Sequence, residues 1–237
     1  MPPVVILAGG LATRLRPMTE TIPKAMLSLA EEPFIAHQLR LLKANGITHV
    51  VLCCGYLGEQ IEEFVGDGKK FGLSVSYSYD GDKLLGTGGA IKKALPFLGD
   101  VFFVMYGDSY LPVNFKNVYD YFIHGQVCLG LMTVLNNKNA WDNSNIVFEA
   151  NSIVVYDKKQ QIKGMDYIDY GLGLLRKEAF NSVYGDVFDL SVIYQDIIAQ
   201  KKMAGYEVFE RFYEIGSPAG LAETENYIKS RRKYGAS

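Results

Sequence analysis

The chain has 237 residues, of which 49% are hydrophobic, and a formal net charge of −2. That supplies apolar material for one large core or two closely merged ones, and the near-neutral balance argues against broad nucleic-acid binding, which needs a basic face. No apolar stretch reaches the roughly 20 residues that span a bilayer, and the N-terminus enters a strand at once without a signal-peptide pattern. Cys53, Cys54 and Cys128 are odd in number and all lie in apolar strand-like runs, as buried small hydrophobes do. These features predict a cytoplasmic protein without a membrane or nucleic-acid partner.

Val4-Val5-Ile6-Leu7-Ala8 is a continuous apolar run, the pattern of a strand buried on both faces of a parallel sheet. It ends in Gly9-Gly10 and then gathers Thr13, Arg14, Arg16 and Lys24. Glycines let backbone N–H groups approach phosphate oxygens, and arginine offers them a rigid fork, so this loop is built for an anion. Phe34 to Asn45 reads as a helix, with Ile35, Leu39 and Leu42 on one stripe and Gly46 as the stop. Further strands begin near Ile47, Leu73, Val101 and Val127, with helices predicted over Gly88–Phe97 and Phe115–His124. Strands alternating with helices imply right-handed βαβ units, hence an α/β fold on a Rossmann-like, mostly parallel sheet flanked by helices.

From about Leu135 the pattern changes. Short strands at Ile146-Phe148, Ile153-Tyr156 and Leu172-Leu175 precede helices near Lys177-Val183 and Asp189-Gln200. A strand at Tyr206-Glu210 and a long helix from Pro218, closed by Arg231-Arg232-Lys233, follow. The reading is a single unit with a nucleotide-binding half, 1–134, and a β-rich acceptor-binding half, 135–237.

In open α/β sheets a ligand sits beyond the carboxyl ends of the strands. Three loops meet there: Gly9 to Lys24, the turn Leu85-Gly86-Thr87-Gly88-Gly89-Ala90, and Tyr106-Gly107-Asp108. A carboxylate at that edge is placed to hold Mg²⁺ together with substrate phosphates. Each loop alone is an ordinary turn or cap; their ordered occurrence on one edge is the signal. His37, His49 and His124 sit inside element patterns and read as structural.

These residues carry a resemblance. Gly9-Gly10-Leu11-Ala12-Thr13-Arg14-Leu15-Arg16-Pro17 with Pro23-Lys24 is similar to the signature of sugar-1-phosphate nucleotidylyltransferases, and the glycine turn and Gly107-Asp108 match their second and third motifs. The chain looks most like the branch of heptose-1-phosphate guanylyltransferases and N-acetylmuramate-1-phosphate uridylyltransferases. The resemblance implies that a nucleoside triphosphate and a sugar 1-phosphate are joined with release of pyrophosphate, using Mg²⁺. The attacking phosphate is already anionic, so no general base is needed, which agrees with the absence of a convincing His, Cys or Ser triad.

By the same resemblance Arg14 holds the triphosphate, Lys24 grips the reacting phosphates, Lys158 binds the sugar phosphate, and Asp108 and Glu214 ligate metal. Leu7, Ala8, Gly9, Gly10, Thr13, Asp80, Gly86, Thr87 and Gly88 would contact the nucleotide, and Asn143, Ser144, Asp169, Tyr170 and Gly171 the acceptor. Family members are often oligomers, so a homo-oligomer is a further expectation. The departures cluster in the acceptor half. Lys158 lacks the proline that usually follows it, Asn143-Ser144 replaces a Tyr-Gly pair, Asp169-Tyr170-Gly171 replaces Asn, a small residue and Gly, and Glu214 is one methylene longer than the usual Asp. Tyr170 would either fill part of the sugar pocket or turn outward.

Two other readings share these features: a cytidylyltransferase for a non-sugar phosphate such as phosphocholine, and a non-catalytic pyrophosphorylase-like regulatory subunit. A GT-A glycosyltransferase would show Asp-x-Asp, whereas Asp108 is followed by Ser109-Tyr110. For the base, Asp80 and Asp82 are acceptor-only groups that suit the adjacent N–H donors of guanine, which favours GTP; backbone groups of Leu85 to Gly88 are the alternative readers.

Overall fold

The computed structural model describes residues 1–233, and of Arg232 and Lys233 the backbone only. In chain order the elements are β1 (Val4–Leu7), the short pair β2 (Ser28–Leu29) and β3 (Glu32–Pro33), α1 (Phe34–Ala44), β4 (His49–Cys54), α2 (Gly58–Val65) and β5 (Ser74–Tyr79). Then come α3 (Gly86–Ala94), β6 (Val101–Tyr106), β7 (Ser109–Tyr110), α4 (Phe115–His124), β8 (Gly130–Asn136), β9 (Ile146–Glu149), β10 (Ser152–Tyr156) and β11 (Tyr167–Arg176). α5 (Ser191–Ala199), β12 (Met203–Val208), β13 (Tyr213–Glu214) and α6 (Pro218–Lys233) complete them.

Nine strands form one sheet in the order β5-β4-β1-β6-β11-β8-β12-β10-β9. β5, β4, β1 and β6 are parallel, as the predicted βαβ units require. Beyond β6 the sheet is mixed: β11 runs antiparallel to β6 and β8, and β12 is parallel to β8. The period-2 alternation of each central strand explains its unbroken hydrophobicity. Val4, Ile6, Val50, Leu52, Phe103 and Met105 pack on one face, where α1 and α4 lie. Val5, Val51, Cys53, Phe102 and Val104 pack on the other, under α3 and α5. All three cysteines are free and buried.

Several boundaries differ from the sequence pattern for local reasons. The predicted helix at Lys177-Val183 is a 3₁₀ turn, Lys177–Phe180, because the chain leaves β11 and closes at once with Asn181 N–H donating to the Glu178 carbonyl at 3.1 Å. The predicted strand Tyr206-Glu210 starts earlier, at Met203, because it pairs with β8 from Gly130 onward. α3 starts two residues before the predicted Gly88 and passes into a 3₁₀ turn at Leu95–Phe97. Unanticipated from the sequence, α2 has eight residues and buries Ile61 and Val65. Among the described residues no helix is long and apolar enough to cross a membrane.

Candidate active site

The carboxyl ends of β1, β4 and β6 converge at backbone contact distance. A Cβ on Gly107 would stand 2.7 Å from the Leu7 carbonyl oxygen, and one on Gly55 would stand 2.7 Å from that of Gly9. Only glycine lets the three strand-end loops lie this close. Gly10 is different, because nothing lies within 4 Å of where its Cβ would be. Among the described residues the backbone N–H groups of Gly10, Leu11 and Ala12 have no acceptor. The loop is braced from behind: Thr19 Oγ1 donates to the Ala12 carbonyl at 2.8 Å, and Tyr56 and Gln60 donate to those of Glu20 and Thr21. A row of free amides on a braced loop is an anion cradle.

A cavity opens beside this loop, lined by Leu7 to Gly10, Lys24, Asp80, Gly86, Thr87 and Asp108, among others. Lys24 Nζ donates to Asp108 Oδ2 at 2.9 Å. The turn bearing Asp108 is held by buried Gln38, whose Nε2 donates to the carbonyls of Tyr106 (3.1 Å) and Ser109 (2.8 Å). Asp80 Oδ2 accepts from Leu85 N–H at 3.3 Å, and burial raises its carboxyl above the ordinary value. Asp82 is exposed and does not reach the cavity.

The glycine turn has a second purpose. A Cβ on Gly86 would stand 2.6 Å from the Phe188 carbonyl oxygen, one on Gly88 2.4 Å from the Phe188 ring, and one on Gly89 2.0 Å from the Asp186 carbonyl oxygen. Segment 186–189 therefore lies directly against the start of α3, and Gly88 serves this packing instead of lining the cavity. Thr87 Oγ1 donates to Asp189 Oδ2 at 2.9 Å and accepts from Leu190 N–H at 2.8 Å. Burial pushes the Asp189 carboxyl up, but hydrogen bonds from Ser191 and Thr87 outweigh it and hold it below the ordinary value.

A second cavity adjoins the first, and Tyr106 and Asp108 border both. It contains Arg14, Asn143, Lys158, Asp169, Gly171 and Glu214. The two-residue pairing of β13 with β7 sets Glu214 opposite Ser109, and Ile215 N–H donates to the Asp108 carbonyl at 2.9 Å. The Asp108 and Glu214 carboxylates and the Arg14 guanidinium all lie within 4 Å of the point where a Gly216 Cβ would sit. Glu214 is already engaged: Oε2 accepts from Gly216 N–H and Oε1 from Ser217 Oγ at 2.8 Å.

Lys158 Nζ donates to the Tyr106 hydroxyl at 3.1 Å and lies 4.0 Å from Asp169 Oδ2. Asp169 also accepts from Tyr156 Oη at 3.3 Å and from Gly171 N–H at 3.0 Å. Gly171 has φ +101°, which fits glycine at that position. Tyr170 fills space: it is 1% exposed, meets Phe212 edge to face, and walls the cavity from within the core. Ser144 is buried, and its hydroxyl is spent on protein partners, accepting from Asn137 Nδ2 and Asn139 N–H at 3.1 Å each and donating to the Asp166 carbonyl at 3.4 Å.

Thr13 is exposed in a 3₁₀ turn away from both cavities, and Arg14 faces the second cavity instead of the first. The sequence pattern places Tyr106 in a strand-end loop but gives it no role; it is a polar aromatic at the last position of a buried strand. The pattern also passes over Arg211, whose guanidinium lies 3.7 Å from the ring centroid of Trp141 at the cavity wall.

The nucleotidyl transferase family pattern matches residues 3–164. The chain belongs to this family and is a nucleotidyltransferase. It is 29% identical over 93% of its length to an N-acetylmuramate alpha-1-phosphate uridylyltransferase of Neisseria meningitidis, covering 96% of that protein. It is also 29% identical over 90% of its length to a D-glycero-alpha-D-manno-heptose 1-phosphate guanylyltransferase of Campylobacter jejuni, covering 94% of it. Among solved structures, HddC from Yersinia pseudotuberculosis, also solved in complex with GMP-PN, shares the fold. Its TM-score is 0.80 at 22% identity, covering 96% of this chain and 100% of that one.

Proposed function

We propose that the chain transfers a nucleotidyl group, with GTP the preferred donor, to a heptose- or hexose-type sugar 1-phosphate, releasing pyrophosphate and forming a nucleotide sugar. The observation that carries this reading is the junction of the two cavities: Tyr106 and Asp108 border both, with Lys24 on one side and Arg14 and Lys158 on the other. The free amides of Gly10 to Ala12 suit a triphosphate. A phosphate oxygen of the acceptor attacks the α-phosphorus in line, and the bond to the bridging oxygen breaks with its electron pair leaving on pyrophosphate. Two polyanions must approach, so preorganised positive charge is the main requirement. Lys24, Arg14 and Lys158 supply it from three directions.

The residues present fit Mg²⁺. Among the described residues no cluster of three or more His, Cys, Asp or Glu could hold a metal, but Asp108 and Glu214 form a two-carboxylate set of hard oxygens, to be completed by substrate phosphates. When bound, the ion would neutralise charge on the reacting phosphates. Asp108 is the better placed ligand, since it borders both cavities whereas Glu214 lines only the second.

Guanine is favoured by Asp80, which reaches the first cavity: Oδ1 can accept one base N–H, and Oδ2, which takes Leu85 N–H at 3.3 Å, keeps a second lone pair for the adjacent one. The uridylyl- and guanylyltransferase relatives support the reaction class, and the acceptors in their names support a sugar 1-phosphate. Phosphocholine is disfavoured because the Arg211 guanidinium already covers one face of Trp141. The test is pyrophosphate release from GTP, UTP, CTP and dTTP against heptose and hexose 1-phosphates and phosphocholine. The expected result is release only with a sugar 1-phosphate, with the highest kcat/KM for GTP. Turnover with phosphocholine alone would overturn the acceptor, a pyrimidine preference the donor, and no release at all the activity.

A further inference from the structure

Tyr106 ends β6 at the junction of the two cavities. Its backbone is fixed on both sides, by Gln38 on its carbonyl and by the close packing of Gly107 on Leu7. Its side chain meets Lys158 twice: the phenol oxygen accepts from Nζ at 3.1 Å, and the ring centroid lies 4.9 Å from the ammonium. Tyr156, with its ring centroid at 5.6 Å, and Asp169 complete the surround. The phenol oxygen presents a lone pair to the ammonium. Lys158 itself follows β10 on an irregular stretch and its side chain is 45% exposed, so its flexible stem has many rotamers open to it. The contacts that select one rotamer decide where its charge stands.

We propose that Tyr106 is a positioning residue: its ring face and phenol oxygen hold the Lys158 ammonium at the cavity junction, aimed at the phosphate of the acceptor. This rests on the second cavity being the acceptor site. Phenylalanine at this position keeps the ring face and loses the oxygen; leucine loses both. Tyr106 also borders the first cavity, so a merely structural lesion would disturb both substrates, whereas a Lys158 holder disturbs one.

Two measurements test this. In ligand-free protein with ¹³C-dimethylated lysines, the Lys158 methyl signal, assigned with Lys158→Arg, should be displaced from those of the other lysines by the ring currents of its aromatic neighbours. It should remain displaced in Tyr106→Phe and move toward the bulk position in Tyr106→Leu. In steady-state assays Tyr106→Phe should raise the acceptor KM about tenfold, the effect of losing one charge-assisted hydrogen bond, and leave the donor KM within about twofold. Tyr106→Leu should do more, yet add almost nothing in a Lys158→Ala background. A Lys158 signal in the bulk position or unmoved by Tyr106→Leu, equal changes in both KM values, or an undiminished Tyr106→Leu effect without Lys158 would each overturn the proposal. If the wild type turns over no acceptor, the functional reading fails, and the methyl signal alone decides whether Tyr106 holds Lys158.

Discussion

Lys24 Nζ and Asp108 Oδ2 are 2.9 Å apart although 84 residues separate them in the chain, so the anion loop and the carboxylate turn close on each other before any substrate binds. Both side chains keep part of their surface in water, and a pair of this kind contributes about 1 kcal/mol or less to stability. Lys24→Ala should therefore leave the melting temperature nearly unchanged while lowering kcat/KM by roughly 10²–10³, the typical cost of one preorganised charge contact. Asp108→Asn should lose activity at ordinary Mg²⁺ concentrations, because an amide is a poor ligand for a hard cation. Thermal melts and pyrophosphate-release kinetics on the same samples check both, and near-normal turnover in either variant would remove its assigned role.

The glycines divide into two kinds that mutation separates. Gly89→Ala drives a methyl to 2.0 Å from the Asp186 carbonyl oxygen, a backbone atom that cannot swing aside. It should cost about 1–3 kcal/mol of stability, the usual penalty of overpacking. Gly10→Ala meets no protein atom, so the fold should tolerate it, but its methyl stands on the loop of free amides. The expectation is an unchanged melt and a raised donor KM. An unchanged donor KM would show that the triphosphate does not lie on this loop.

Legibility followed burial. β1, β4 and β6 are readable because both their faces are buried, which writes an unbroken apolar run into the sequence. The anion loop and Asp108 follow directly from those strand ends. The eight residues of α2 bury only two large side chains, Ile61 and Val65, too few to impose a helical period. The reason for Gly88 and Gly89 lies about a hundred residues away, at Phe188 and Asp186. Lys158 reaches Tyr106 across 52 residues through the pairings of β10 with β9, β9 with β11 and β11 with β6, which no local pattern encodes. Contacts made across the sheet need the sheet's register, and that was the part the residues did not announce.

Ser217 caps α6: its hydroxyl accepts from Gly220 N–H at 3.0 Å and donates to Glu214 Oε1, with Pro218 at the first helical position. Ser217→Ala should lower stability by about 1 kcal/mol, or a melting shift of roughly 2–4 °C at this chain length. Gly220→Ala probes the same corner more sharply, since its Cβ would stand 1.9 Å from Glu214 Oε1 and must displace the carboxylate. If Glu214 is a metal ligand, Gly220→Ala should raise the Mg²⁺ concentration needed for half-maximal rate. If that concentration stays the same, Glu214 serves only the helix cap.

Asp80 links stability to base choice. Burial raises the folded carboxyl above its ordinary value of 3.8, so the folded state holds this proton more tightly than the unfolded chain does. Below 3.8 both states are protonated and the group costs nothing. As the pH rises through the raised folded value, ionisation favours the unfolded state, and the penalty is complete at neutral pH. Asp80→Asn keeps an oxygen for Leu85 N–H and removes the charge, so it should melt higher than wild type at pH 7, with the gain fading as the pH falls below the carboxyl's range. The same substitution replaces one carboxylate oxygen by an N–H₂ donor, which repels the guanine N–H edge and suits the carbonyls of uracil and thymine. The expected outcome is a stabler enzyme whose kcat/KM falls for GTP relative to UTP and dTTP. Melting temperatures across pH 3–8 and a four-nucleotide comparison check it: a GTP preference untouched by Asp80→Asn would move base reading to the backbone of Leu85 to Gly88, and a lower melt at pH 7 would mean that the carboxylate stabilises its loop.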